Sequence, residues 1–164
     1  MKYFRKFKMF NITGRTIKLF ILFNLLLVIS SCATVGSSSI SRDEIPSLSE
    51  NRSRIFFYRT SLFFGSGMKP PIFLNGNKVG ISSSGTAFYV DVAPGKYTVS
   101  VAKIIYPGSE GRVDFEVHEN EVVYVKTWTG GSSFAGRTNI GVVSPETAEK
   151  EIKDLKFLLF NFED

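Results

Sequence analysis

This chain of 164 residues has one cysteine, Cys32, and one histidine, His118. A lone cysteine excludes an intramolecular disulfide, so any core must hold by packing. One cysteine and one histidine also fall short of the usual set of nitrogen and sulfur ligands around zinc. Acid is missing from the first 31 residues, which carry Lys2, Arg5, Lys6, Lys8, Arg15 and Lys18. No apolar run is long: Leu19 to Ile29 is 11 residues, broken once by Asn24. At about 1.5 Å per residue, such a run is too short for a bilayer core of roughly 30 Å. Two Gly-rich stretches, GSEG at 108–111 and TGGSSFAG at 129–136, do not open a helix after a strand. A phosphate-cradling loop needs that context, so both read as flexible connections.

What is present at the start has a direction. A basic segment, a short apolar stretch and a small-residue exit form the layout of a secretory signal peptide. The exit is Ile29-Ser30-Ser31-Cys32. It resembles the bacterial lipobox, with a branched apolar residue, two small residues and then an obligatory cysteine. The resemblance implies recognition of Ile29, Ser30 and Ser31 by a signal peptidase. It also implies diacylglycerol on the Cys32 sulfur and cleavage just before it, with the new amine usually acylated. One acyl chain holds a protein only marginally, at about 0.8 kcal/mol per buried methylene, whereas two or three hold it durably. The other roles open to Cys32 are a buried structural thiol, a catalytic thiol served by His118, or no role in a signal anchor without lipid. Its Ser-rich surroundings and the strand-end position of His118 disfavour the first two. Met9 is an alternative start that leaves a tidier signal.

Removing residues 1–31 changes the charge balance. The whole chain is formally +5. The remainder has 14 basic and 15 acidic residues, so the basicity belongs to export and gives no support to nucleic-acid binding. Residues 33–51, ATVGSSSISRDEIPSLSEN, are Ser-rich and poor in apolar side chains. That composition buries too little surface to offset ordering, so 32–51 is expected to be a lipidated cysteine and flexible tether. Ala33, in place of the Asp that retains enterobacterial lipoproteins in the inner membrane, favours the periplasmic face of the outer membrane.

One domain is expected over 52–164. RIFFYRT (54–60) is aromatic and β-branched, as strands are. IFLNGNKVGIS (72–82) is two strands about Asn75-Gly76-Asn77, residues that accept positive φ. Strands at 86–92 and 96–104 flank Pro94-Gly95, and Tyr97, Val99 and Val101 alternate with polar residues. RVDFEVH (112–118) alternates too, Glu119-Asn120 turns, and EVVYVKTW (121–128) returns. A short strand follows near 138–143. Ser144-Pro145-Glu146 supplies an N-cap, a first-turn proline and an acid, opening a helix with Ala148, Ile152 and Leu155 on one face. KFLLFNF ends the chain as a last strand. The fold class is mainly β: an antiparallel sandwich of about seven or eight strands, Ig-like or transthyretin-like, with one short helix near the C-terminus. Lys78 and Lys126 are candidates for edge-strand protection.

RIFFYRTSLFFGSGMKPPIFLNGNKVG followed by GTAFYVDVAPGKYTVSV resembles the DUF2846 family of small bacterial lipoproteins. The likeness lies in an aromatic-Tyr-Arg strand, a loop with paired aromatics, a Gly-x-x-x-Gly hairpin and Val-x-Pro-Gly-Lys-x-Thr-Val, over roughly residues 52–128. The second half also resembles the PEGA-type repeat, a short hairpin unit ending in Pro-Gly-x-Tyr. The DUF2846 resemblance implies a location and a fold and brings no catalytic residues with it.

The remaining candidates are few. Arg59 can clamp a carboxylate or phosphate, or serve a structural salt bridge, the simpler role. Asp91, opposite Pro94-Gly95, is expected to bond the turn. His118 stands among Glu116 and Glu119 as solvated surface, with no companions for a metal. Phe63 and Phe64 lie between polar, Gly-flanked neighbours; they plug one end of the sandwich or, if exposed, contact a partner or a membrane. Trp128 poses the same choice. The expected function is a lipid-anchored, non-catalytic envelope module without a cofactor. It is held to the membrane by its lipid and binds an envelope protein or peptidoglycan through Phe63, Phe64, Arg59 and Trp128. The alternative is an envelope hydrolase, which needs a nucleophile, base and orienter that one histidine on a wet strand face supplies poorly.

Overall fold

The run Arg54-Ile55-Phe56-Phe57-Tyr58 has apolar side chains at adjacent positions, so a strand built from it needs cover on both faces. The computed structural model, which describes residues 37–63, 65–102, 111–130 and 137–160, provides that cover. Its strands are β1 (Ser37–Ile40), β2 (Ser53–Arg59), β3 (Pro71–Leu74), β4 (Asn77–Ile81), β5 (Thr86–Val92), β6 (Gly95–Val101), β7 (Gly111–Val117), β8 (Val122–Gly130), β9 (Arg137–Val143) and β10 (Lys156–Phe160); among the described residues there is one α-helix, α1 (Pro145–Ile152), and one 3-10 turn, Arg42–Glu44. One sheet has six strands in the order β1-β10-β5-β2-β8-β9, and the other has four in the order β4-β3-β6-β7.

The larger core lies between the sheets. Ile55, Phe57, Phe88, Val123 and Val125 from the six-stranded sheet meet Ile72, Leu74, Val99, Val101 and Val117 from the other. Phe57 stacks on Phe88 at 4.9 Å, and Phe160 meets Phe88 edge-on at 5.0 Å. Each such ring contributes about 1.5–3 kcal/mol by leaving water. Phe88 also lies against Gly80: a Cβ there would sit 2.3 Å from the ring.

A second, smaller core covers the outer face of the six-stranded sheet. Tyr58, Ala87, Tyr124 and Phe157 pack against Ala148 and Ile152 of α1, with Ile40, Ile45 and Leu155 at the margin. Ser144 caps α1 by accepting from the Thr147 N–H, and Pro145 begins it. Two carboxylates of α1 reach down to the sheet. The Tyr58 hydroxyl donates to Glu151 at 2.7 Å and Lys126 Nζ donates to the same carboxylate at 2.6 Å. Tyr124 and Arg42 both donate to Glu149. Burial works to raise both carboxyl pKa values, but these hydrogen bonds outweigh it and hold Glu149 and Glu151 below the ordinary range. Burial and the neighbouring carboxylates push both tyrosines up.

The sandwich and the late helix are as the pattern of residues implies. Three features differ. Ser37–Ile40 pairs antiparallel with β10, and Pro46 O accepts from Arg54 Nη1 at 2.8 Å. This stretch is therefore β-structure and packed turn, where composition suggested a free tether. The strands among the described residues number ten, and two of the ladders are parallel, β2 with β8 and β5 with β10. Two expected hairpins are corners between sheets: Ala93-Pro94 joins β5 to β6, and the His118–Glu121 turn joins β7 to β8, each pair lying in different sheets. Asn75-Gly76, with φ of 49° and 84°, does make the expected tight hairpin. Lys78 lies on the edge strand β4, whereas Lys126 lies on β8, between β2 and β9, and serves α1 instead. No helix among the described residues is long and apolar enough to cross a membrane.

Gly80→Ala should force Phe88 out of place and cost about 1–3 kcal/mol, read as a lower denaturant midpoint at unchanged slope. The Glu149 and Glu151 bonds should stabilise fully above pH 4.5, the ordinary carboxyl value, and be lost as pH falls through the depressed folded-state values. The double variant Glu149→Gln, Glu151→Gln should accordingly show a shallower fall in melting temperature between pH 5 and 3, in the range of about the unperturbed carboxyl titration.

Candidate functional site

β2 alternates side chains between the two cores, and its inward positions are Ser53, Ile55, Phe57 and Arg59. The last of these sends a guanidinium into the end of the sandwich. Arg59 is 1% exposed and is the largest fully buried side chain among the described residues. Its Nη1 donates to Met68 O at 3.0 Å, and its Nη2 donates to Gly65 O at 2.8 Å and Thr129 Oγ1 at 2.6 Å. Among the described residues its Nε has no partner and no carboxylate pairs with it. Burial pushes its pKa down. An arginine nevertheless keeps its charge, so carbonyl dipoles do the work of a counter-ion.

The loop between β2 and β3 is built on this group. Gly65 and Met68 turn their carbonyls toward Arg59, and the Met68 N–H donates to Gly65 O at 3.1 Å. Gly65 has φ +77°, and a Cβ there would meet Thr129 at 3.1 Å. The other limb is held by Ser84: the Leu62 N–H donates to Ser84 Oγ at 3.1 Å, and that hydroxyl donates to Leu62 O at 3.3 Å. Between the two fastenings the chain turns outward. Phe63 is 99% exposed and Leu62 46% exposed. Phe63 is therefore a projecting side chain, and of the two alternatives the sequence leaves it does not plug the sandwich.

Among the described residues Arg59 makes no salt bridge; its guanidinium is taken up by Met68 O, Gly65 O and Thr129 Oγ1. The space between it, Ser82, Thr127 and Phe88 has no room for a water molecule, and Ser82 Oγ and Thr127 Oγ1 bond each other at 2.7 Å. Trp128 is 37% exposed. It lies on the other face of its sheet, where Gly141 leaves room for its ring, so the structure does not bring it together with Arg59. Asp91 does not serve its turn. It takes both Nε and Nη2 of Arg54, at 2.6 and 2.8 Å. His118 is exposed at the opposite end of the sandwich. An open groove of about 430 Å³ along β6 and β7 is lined by Lys96, Thr98, Asp114 and Glu116. There Thr98 and Arg112 donate to Asp114 and hold its carboxyl down. Among the described residues no three histidine, cysteine, aspartate or glutamate side chains could hold a metal ion. Cys32, Ile29, Ser30, Ser31 and Phe64 lie outside the described residues.

A family model described as a protein of unknown function, DUF2846, matches residues 49–138, more than half of the chain. The chain belongs to the DUF2846 family. No curated protein matches it. In this DUF2846 chain the matched stretch runs from just before β2 into the start of β9. It contains Arg59, the whole 61–68 loop, Ser84 and Thr129, while β1, α1 and β10 lie outside it. The sequence reading singled out Arg59 and the loop aromatics but missed Ser84, Gly65, Met68 and Thr129. Inward alternation along β2 already placed Arg59 inside; the acceptors that meet it come from distant segments.

Arg59→Lys should lose the fork that reaches three acceptors. Amide exchange at Met68 should quicken and stability should fall by about 1–3 kcal/mol. Unchanged exchange at Met68 would mean that the loop holds itself.

Proposed function

We propose that this DUF2846 protein is a lipid-anchored lipoprotein of the bacterial cell envelope that acts by binding and not by catalysis. In this reading Cys32 carries the lipid, Ile29-Ser30-Ser31 is the peptidase recognition sequence, and Ala33 directs the protein to the periplasmic face of the outer membrane. The 61–68 loop is the binding element. The observation that carries the binding role is Phe63, fully exposed between two limbs fastened by Arg59 and Ser84. An apolar ring held in water forgoes about 1.5–3 kcal/mol, which docking into an apolar pocket recovers. A fastened backbone loses little further entropy on binding, so more of that gain becomes affinity. Aromatic anchors of this kind dominate many interfaces. The partner favoured is an envelope protein offering an apolar pocket, with Leu62 at the rim.

Two measurements test this. The protein should fractionate with membranes with a lipid-modified Cys32 as its N-terminal residue, and Cys32→Ala should be soluble. A bare Cys32 on a cytosolic chain with residues 1–31 still attached removes the anchor. Proteins crosslinked in intact cells and purified from membranes should include a partner that Phe63→Ser loses, by roughly 30-fold for a loss of about 2 kcal/mol, with the melting temperature unchanged. Capture that is indifferent to Phe63→Ser removes the loop from the binding role. Retention on purified peptidoglycan that Phe63→Ser abolishes replaces the protein partner by the polymer.

A further inference from the structure

The exposed ring of Phe63 does not stand alone. Each limb of its loop has a lysine beside the point where it is fastened. On one side Met68, whose carbonyl Arg59 holds, is followed directly by Lys69. On the other, Ser84 holds Leu62, and the next residue, Gly85, accepts from the Lys156 N–H at 3.1 Å. Gly85 also lies against the start of the loop, since a Cβ there would sit 2.8 Å from Ser61 Oγ. Both lysines are exposed. Among the described residues neither ammonium takes part in an ion pair.

Exposed charge is unevenly shared between the two ends of the sandwich. Lys156 is opposite Thr86 and Thr86 is opposite Arg59, so the start of β10 lies at the loop end. Segments 61–71, 81–86 and 153–157 meet there, with exposed Lys69, Lys153 and Lys156 against one exposed acid, Asp154. At the opposite end, segments 46–53 and 117–122 carry Glu50, Glu119 and Glu121 against Arg52. The fold does not neutralise Lys69 and Lys156, so their charge remains for a partner. Whatever buries Phe63 brings its own surface against them. Like charge there opposes docking, whereas opposite charge speeds encounter and fixes the angle of approach.

We infer that the pocket receiving Phe63 lies on an acidic face of the partner protein, with carboxylates at its rim that meet Lys69 and Lys156. This rests on the binding role given to the loop above and adds the partner's charge to it. The ring supplies the buried contact, and the lysines supply steering. Steering acts through water over about 10 Å at 0.1 M salt and about 30 Å at 0.01 M. Association is therefore fast in dilute salt and slows as salt rises.

The test uses the full lipidated chain in permeabilised cells, with a photoreactive benzophenone side chain at position 66, exposed on the loop. Cells are illuminated in about 20 mM and about 300 mM NaCl, either side of the salt at which such steering is screened. Lys69→Glu with Lys156→Glu should lower the yield of the protein adduct roughly tenfold in the dilute salt and much less in the concentrated one. Lys69→Gln with Lys156→Gln should fall between. Melting temperatures should match the parent, because neither ammonium has an ion pair to lose among the described residues. The crosslinked peptide, read by mass spectrometry, should carry aspartate or glutamate beside apolar residues. An adduct that Phe63→Ser loses but charge reversal leaves intact overturns the acidic rim and spares the binding role of the loop. So does a crosslinked peptide without acids. An adduct indifferent to Phe63→Ser overturns that role, and the rim with it. Benzophenone that takes up phospholipid in place of protein makes the occupant a bilayer and overturns the acidic partner.

Discussion

A guanidinium that no carboxylate pairs with among the described residues organises one end of this protein. Burying a charge is costly unless it is surrounded by hydrogen-bonding groups. Arg59 meets that demand with two backbone carbonyls and one hydroxyl. Those carbonyls belong to a loop with no secondary structure of its own, so satisfying the charge and ordering the loop are one event. Gly65 is the residue that makes this approach feasible, because its backbone lies against Thr129. Phe63 stands in water on the loop that bends around the guanidinium.

The sandwich supplies the rigid frame. β2 and β8 sit side by side in the interior of the six-stranded sheet, with one core on each face. α1 and the segment from Ser37 to Ile45 close the outer face. Their carboxylate bonds to Tyr58 and Tyr124 reach the same two strands that carry Arg59 and Thr129. The layers thus fix the strand ends, and the strand ends fix the loop. The β1 pairing with β10 belongs to this same closure.

Much of the architecture is legible in the residues. Alternation in Arg112 to Val117 marks a strand with one wet face, and β7 is the edge of its sheet. Unbroken apolar character in Ile55 to Tyr58 and Val122 to Val125 marks strands covered twice, which is why both are central. That signal also argues against simple hairpins, since a two-faced strand cannot belong to a single-faced meander. Parallel pairing was not legible, because it follows from where the corners send each strand. β1 was not legible either: Ser37-Ser38-Ser39 has no apolar face, and its bonds to β10 are backbone bonds that composition does not register. At the site, Arg59 and the loop were visible as residue types. Their geometry was not, because Thr129 and Ser84 come from segments far along the chain.

What distinguishes this account from a loose aromatic loop is order in the unbound state. The direct measurement is the backbone order parameter of Leu62, Phe63, Gly65 and Met68 by nuclear spin relaxation on the unbound wild-type domain. The account predicts values near 0.85, as in the flanking strands. Values below about 0.6 at these residues would mean that the buried guanidinium fastens nothing, and that Phe63 is exposed only because its loop is free.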